Sequence, residues 1–168
     1  TLEARAAVFL RAADLLMTTW RETINATTML NQSKTSHQAE IDAVTESIDF
    51  LRFNAHFAEQ LYDIQPFSPT GMWNRMDYRP LEGFVYAVTP FNFTSIGTNL
   101  SAAPALMGNT VIWKPASSAV FSNYHIMKLF EAAGLPPGVI NFLPGNASTI
   151  SAVLLNDRDL GGIHFTGS

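Results

Sequence analysis

From residue 84 onward, short apolar runs alternate with helix-patterned segments, and no other feature of the chain restricts its fold as strongly. "FVYAV" (84–88) reads as a strand, "SIGTNLSAAPALM" (95–107) as a helix rich in small residues, and "NTVIW" (109–113) as a strand after a Gly-Asn turn. "SNYHIMKLFEAAG" (122–134) reads as a helix closed by Gly134, "VINFLP" (139–144) as a strand, "ASTISAVLLN" (147–156) as a helix, and "GIHFT" (162–166) as a fourth strand. Strands alternating with helices of this length describe βαβ units, and hence an α/β fold built on a parallel sheet. Near-continuous apolar strands fit burial on both faces.

The first 64 residues carry a different pattern. Residues 2–31 read as one helix with Phe9, Ala13, Leu16, Trp20, Ile24 and Leu30 near one face and no proline to interrupt them. "NQSKTSHQ" (31–38) breaks it, and Thr35 to Gln38 has capping-box spacing. The next helix, about 38–62, repeats Ile41, Val44, Ile48, Leu51, Ala55, Ala58 and Tyr62 at steps of three and four. Phe50, Phe53 and Phe57 form a second stripe roughly opposite. A helix apolar on two faces is expected to lie sandwiched between layers. Glu46 continues the phenylalanine stripe by one turn, so its carboxylate either reaches solvent near a helix start or faces a pocket.

"QPFSPTG" (65–71) is a turn or linker by its prolines and glycine, and "MWNRMDYRPLEG" (72–83) mixes aromatic, charged and apolar residues near period two. This second stretch is expected to be an exposed ribbon. Exposed strands invite pairing with another chain, which makes it an expected homo-oligomer contact. The expected organisation is therefore packed helices over 1–64, a linker and ribbon over 65–83, and the α/β segment over 84–168.

Composition narrows the function. The chain of 168 residues is 47% apolar with a formal net charge of −4 and no lysine/arginine-rich run, so nothing favours nucleic acid or an anionic membrane as partner. Residues 83–113 lack charge, but their prolines and glycines argue against a membrane span. With no cysteine, the chain itself supplies no disulfide, zinc-thiolate site or cysteine nucleophile. Five N-x-S/T sequons (Asn25, Asn31, Asn92, Asn99, Asn146) accompany no visible signal peptide and read as chance matches. Both ends fall inside patterned segments, so the chain is expected to be part of a longer polypeptide.

In open parallel sheets, ligands bind outside the carboxyl ends of the strands. The residues just past those ends, 89–93, 114–117, 144–146 and 166–168, hold one lysine, two asparagines, hydroxyls and small residues, with no acid or histidine. A hydrolytic triad or metal site is therefore not expected. Lys114 at a strand end is either a surface charge or an ammonium directed at a ribose or phosphate. Gly167 and Ser168 stand where a following helix would begin, an arrangement that suits a phosphate. Histidines 37, 56, 125 and 164 lack metal-ligand spacing and are assigned to structure. Asn92 is an uncharged amide between Phe91 and Phe93.

These motifs resemble those of the aldehyde dehydrogenase superfamily. "TPFNFT", "APALMGNTVIWKP", "AGLPPGVINFLPG" and "IHFTGS" match its stretches in order and spacing across 83–168. "AEIDAVTESIDFLRFN" (39–54) and "YRPLEGFVYAVTPFNFT" resemble its 1-pyrroline-5-carboxylate dehydrogenase branch. The resemblance implies a Rossmann-like dinucleotide-binding domain and NAD-dependent oxidation of L-glutamate γ-semialdehyde to L-glutamate in proline catabolism. In that chemistry a cysteine thiolate attacks the aldehyde, the hemithioacetal passes hydride to the nicotinamide, and a glutamate activates water. The resemblance makes Asn92 the oxyanion-stabilising amide, set among aromatic walls that exclude water. It makes Thr89, Phe91, Lys114, Gly167 and Ser168 contacts of the dinucleotide, and it places Phe93 and Glu46 beside the aldehyde site. The matching cysteine and glutamate segments would lie beyond Ser168. Ser117 stands where many relatives carry a glutamate that holds the adenosine ribose, which leaves NADP open beside NAD. The implied location is the mitochondrial matrix in a eukaryote and the cytoplasm otherwise.

Overall fold

The computed structural model describes all of residues 1–168. In chain order it contains α1 (Leu2–Met17), α2 (Arg21–Gln32), the short α3 (Ser36–Ala39), a π-helical turn (Glu40–Thr45) and α4 (Glu46–Asp63). Then follow β1 (Phe84–Thr89), α5 (Thr94–Leu106), β2 (Thr110–Pro115), α6 (Val120–Ala132), β3 (Ile140–Phe142), α7 (Ala147–Leu154) and β4 (Leu160–Phe165). The alternation expected from residue 84 onward is present, and the strands form one parallel sheet in the order β3-β2-β1-β4.

The N-terminal helices differ from expectation in three ways. Residues 2–31 are two helices, not one. The Thr18 hydroxyl donates to the Asp14 carbonyl at 2.8 Å, and the Thr18 backbone leaves helical angles at φ −118°, ψ −93°. Local side-chain bonding of this kind competes with the helical ladder, which ends here without proline or glycine.

The second difference lies in the apolar seam of the next helix. Its start is as expected, with the Thr35–Gln38 capping box fully formed. The π turn then adds a residue to the turn and shifts the register. Ala43 and Val44 are buried, while Ile41 is 50% exposed. From Val44 through Ile48, Leu51, Ala55 and Ala58 the seam is buried as the spacing requires. The third difference is that the opposite stripe is not sandwiched: Phe53 and Phe57 are about half exposed and stack on each other at 6.0 Å.

The expected ribbon pairs with no strand of this chain. Residues 64–82 form an exposed arm folded on itself by side-chain bonds. The Asn74 N–H donates to the Ser68 hydroxyl at 2.9 Å, the Asn74 amide to the Phe67 carbonyl at 2.9 Å, and the Tyr78 hydroxyl to the Ile64 carbonyl at 2.8 Å. A ladder needs a neighbouring strand, and period-two patterning alone cannot supply one. Phe67 and Trp73 stand 83% and 77% exposed on this arm.

One apolar core joins the helices to the sheet. Phe9 of α1, Leu51 of α4, Ala102 of α5, Phe130 of α6 and Trp113 of β2 belong to the same buried cluster. These helices therefore cover one face of the sheet, and the expected segments 1–64 and 84–168 share a single interior. α7 meets the opposite face, where the Tyr86 hydroxyl lies 3.0 Å from that of Ser151. No helix is long and apolar enough to cross a membrane.

Candidate functional site

Side chains alternate between the faces of a strand, and the sheet register keeps neighbouring strands in phase. Val85 and Ala87 on β1, with Val111 and Trp113 on β2, turn toward the core. Val88 is paired with Lys114 on one side and Phe165 on the other, and Tyr86 with Ile163. These residues share the face that looks toward α7, and between them and that helix lies a cleft of about 410 Å³. Its position at the carboxyl ends of β1, β2 and β4 is the one expected for an open parallel sheet.

All five residues expected to contact a dinucleotide, Thr89, Phe91, Lys114, Gly167 and Ser168, line this cleft. Lys114 is not a surface charge. It is 4% exposed, and its ammonium has no hydrogen bond or ion pair within the chain. The stem is packed while the ammonium opens on the cleft without a partner in the chain, an arrangement that favours a ligand bearing oxygen acceptors. At Gly167 a Cβ would come within 3.2 Å of the Phe165 ring, so the absent side chain keeps the turn close to that wall. Phe91 and Phe165 are more than half exposed, giving apolar walls around few polar groups.

Thr89 lines the cleft with its hydroxyl turned away from it. It is 2% exposed and accepts a 2.9 Å bond from the Trp113 indole, while its carbonyl accepts from the Ala116 N–H at 3.1 Å. Its part is to hold the ends of β1 and β2 together beneath the cleft. Ser117 is exposed at the start of a short 3₁₀ turn, Ser117–Ala119.

Asn92 follows at the rim, between β1 and α5. Its side-chain amide is exposed and has no partner within the chain, while its backbone carbonyl accepts from the Lys34 ammonium. Lys34 is also bound to Asp42 at 2.7 Å and lies 4.4 Å over the Phe93 ring. The expected aromatic enclosure of Asn92 is therefore not formed by this chain: Phe91 is 57% exposed, and only Phe93 is half-buried, beneath Lys34. Glu46 is half-buried and accepts from the Ser95 hydroxyl in the first turn of α5, so its carboxylate is fixed against α5 and not loose in solvent. A carboxylate is favoured beside a helix N-terminus. The same turn is held from α2, where the Thr28 hydroxyl lies 3.0 Å from that of Thr94.

Lys34 escapes a reading of the sequence because its partner is 58 residues away and its own segment reads only as a helix break. The Trp113–Thr89 bond is likewise invisible locally, although strand alternation does place both side chains on the core face. No three histidine, cysteine, aspartate or glutamate side chains converge on a metal-sized site. His164 is held by the Leu100 carbonyl at 3.1 Å.

The whole chain, residues 1–168, matches the aldehyde dehydrogenase family. It is 58% identical over 167 residues to a mitochondrial delta-1-pyrroline-5-carboxylate dehydrogenase of Dictyostelium discoideum, covering 99% of this chain and 30% of that protein. A mitochondrial enzyme of the same name from Bos taurus is 52% identical, with 98% of this chain and 29% of that protein covered. Among solved structures, the NAD-bound delta-pyrroline-5-carboxylate dehydrogenase of Mycobacterium tuberculosis superposes with a TM-score of 0.98 at 64% identity, covering 100% of this chain and 31% of that one. The chain thus spans about 30% of the length of the curated relatives it matches. With the family pattern running from end to end and its strand-end residues gathered on one cleft, the chain belongs to the aldehyde dehydrogenase family.

Proposed function

We propose that the complete protein oxidises L-glutamate γ-semialdehyde, the open form of 1-pyrroline-5-carboxylate, to L-glutamate with NAD, and that this chain contributes the dinucleotide cleft and the oxyanion donor. The observation that carries the reading is the convergence of Lys114, Phe91, Gly167 and Ser168 on one cleft at the strand ends. The donor set fits a dinucleotide: an unpartnered ammonium, a hydroxyl, a glycine turn and aromatic walls suit ribose, phosphate and ring surfaces together. When bound, NAD supplies the hydride acceptor.

The chain's own residues have separable tasks. Lys114 donates to ribose hydroxyl or phosphate oxygens, and the Gly167–Ser168 turn lets the ligand approach the backbone. Thr89 keeps the strand ends in place through Trp113. Asn92 directs a neutral N–H at the aldehyde oxygen as negative charge develops there. A preorganised donor of this kind contributes about 3–4 kcal/mol to the transition state. Phe93 and Glu46 border the aldehyde side. NAD is preferred to NADP on the precedent of the NAD-bound relative, with Ser117 in place of an acid leaving NADP weakly usable. The exposed Phe67 and Trp73 on the arm belong to a contact with a second copy of the protein, and the mitochondrial names of eukaryotic relatives support a matrix location in a eukaryote.

The test is a panel of aldehydes offered to the complete enzyme with NAD or NADP. The expected result is the highest kcat/KM for glutamate semialdehyde with NAD. Indifference to that substrate, with good turnover of other aldehydes, contradicts the substrate assignment and leaves the cleft assignment standing.

A further inference from the structure

We propose that Lys34, fixed by Asp42, is a positioning residue for the oxyanion donor, locking the Asn92 turn from outside the catalytic cleft. The inference rests on Asn92 serving as that donor. The Lys34 ammonium makes contacts with consecutive residues of the turn, donating to the Asn92 carbonyl and lying 4.4 Å over the Phe93 ring. Its side chain is 13% exposed, so most of its stem is packed while the bond to Asn92 lies at the surface, and Asp42 at 2.7 Å supplies the counter-charge. Asn92 itself has no side-chain bond within the chain, so its direction is set by its backbone. The contact with Lys34 is the side-chain bond made to the Asn92 backbone itself, beside the Thr28 bond that holds Thr94 in the next turn.

The π turn is the device that brings Asp42 to Lys34. The Thr45 hydroxyl donates to the Glu40 carbonyl, five residues earlier, at 3.0 Å and supports the widened turn. Glu40 on the same turn accepts from Arg21 and from the Asn25 amide, both on α2. The turn is thereby tied to the scaffold on one side and, through Asp42, to Lys34 on the other. π turns inside α-helices are frequent at functional sites, because the extra residue re-aims the side chains around it. Loss of the Lys34 ammonium leaves the Asn92 carbonyl without its donor and Phe93 without its cation. The amide then samples directions in which it does not meet the developing oxyanion.

The experiment uses the complete enzyme with Lys34→Met, Lys34→Arg and Asp42→Asn, each in the Asn92 and Asn92→Ala backgrounds. It measures kcat at saturating NAD, the Kd for NAD and the thermal midpoint. With Asn92 present, Lys34→Met is expected to lower kcat about ten- to hundredfold, the range for losing a charge-assisted bond. The Kd for NAD is expected to stay within about twofold, the limit of additivity for distant sites. Lys34→Arg retains most of the turnover, and Asp42→Asn shows a smaller loss than Lys34→Met. In the Asn92→Ala background all three changes have little further effect, because the group they position is gone.

A loss that recurs in full in the Asn92→Ala background, or unchanged turnover in Lys34→Met, overturns the positioning role. Where Lys34→Met fails to fold, the Arg and Asn variants decide: an arginine enzyme as impaired as the Asn92→Ala enzyme, or an Asp42→Asn loss additive with Asn92→Ala, overturns it equally. An Asn92→Ala enzyme with full turnover overturns the oxyanion reading and this inference with it. An impaired Asn92→Ala enzyme with additive Lys34 losses overturns the inference alone.

Discussion

Lys114→Met in the complete enzyme isolates the contribution of a single ammonium to the cleft. Lys114 is 4% exposed, so its apolar stem is packed, and methionine fills nearly the same space without the charge. Within the chain the ammonium has no partner, so the substitution removes no intramolecular bond. In the apo enzyme the thermal midpoint should hold, since the substitution keeps the packed stem and breaks no bond within the chain. If Lys114 holds the dinucleotide as proposed, the variant's NAD complex lacks hydrogen bonds from a charged donor, each worth about 1.5–3 kcal/mol. That loss corresponds to a Kd raised about ten- to hundredfold. Calorimetric titration of NAD into both proteins measures the affinity, and a thermal melt of each apo protein controls for folding. A Kd within about twofold of the parent, with both proteins folded, would refute the placement of the dinucleotide against β2. A fall in the apo unfolding free energy beyond the usual scatter of a surface change, about 0.5 kcal/mol, would show that the ammonium serves the fold instead.

Two further substitutions test the ground beneath the cleft. Thr89→Val keeps the shape but leaves the Trp113 indole N–H without its acceptor, so a loss of about 1–3 kcal/mol is expected in denaturant unfolding, with little change in NAD affinity. A large loss of affinity at unchanged stability would instead show the hydroxyl serving the ligand directly. Gly97→Ala sets a methyl 2.1 Å from the buried Asn123 Oδ1, which must shift within a packed α5–α6 contact. Such overpacking costs about 1–3 kcal/mol, and adding Asn123→Ala should recover much of it. Failure of the second change to help would place the strain elsewhere.

Fold class was legible because strand and helix periodicities alternate cleanly from residue 84, although the expected burial on both faces fails at β4, where Ile163 and Phe165 are 56% exposed. The cleft followed from topology: once strands are parallel, the residues past their ends must gather, and Lys114, Phe91 and Gly167 do so. What stayed hidden was long-range or partner-dependent. The break at Thr18 comes from a hydroxyl choosing its own preceding turn, which helix periodicity does not register. The π turn changes the phase of a seam that looked continuous, exposing Ile41 and burying Ala43. The Phe53–Phe57 stripe has apolar patterning that this chain does not cover, so pattern alone overstated its burial, whereas the arm at 64–82 is exposed as its mixed composition suggests. Asn92 was singled out by its setting between rings, yet the contact that holds it comes from Lys34.

Turnover of the Asn92→Ala variant of the complete enzyme, measured alongside its NAD affinity, tests the central claim most directly. An exposed amide with no partner in the chain contributes nothing to folding that alanine would remove, so the thermal midpoint should stay near that of the parent. Loss of one oxyanion donor predicts a kcat on glutamate semialdehyde lowered about 10²–10³-fold. The Kd for NAD should change by less than about twofold, because Asn92 lies beyond the cleft that Lys114 and Gly167 line. Equal losses in turnover and NAD affinity, or turnover left intact, would contradict the account.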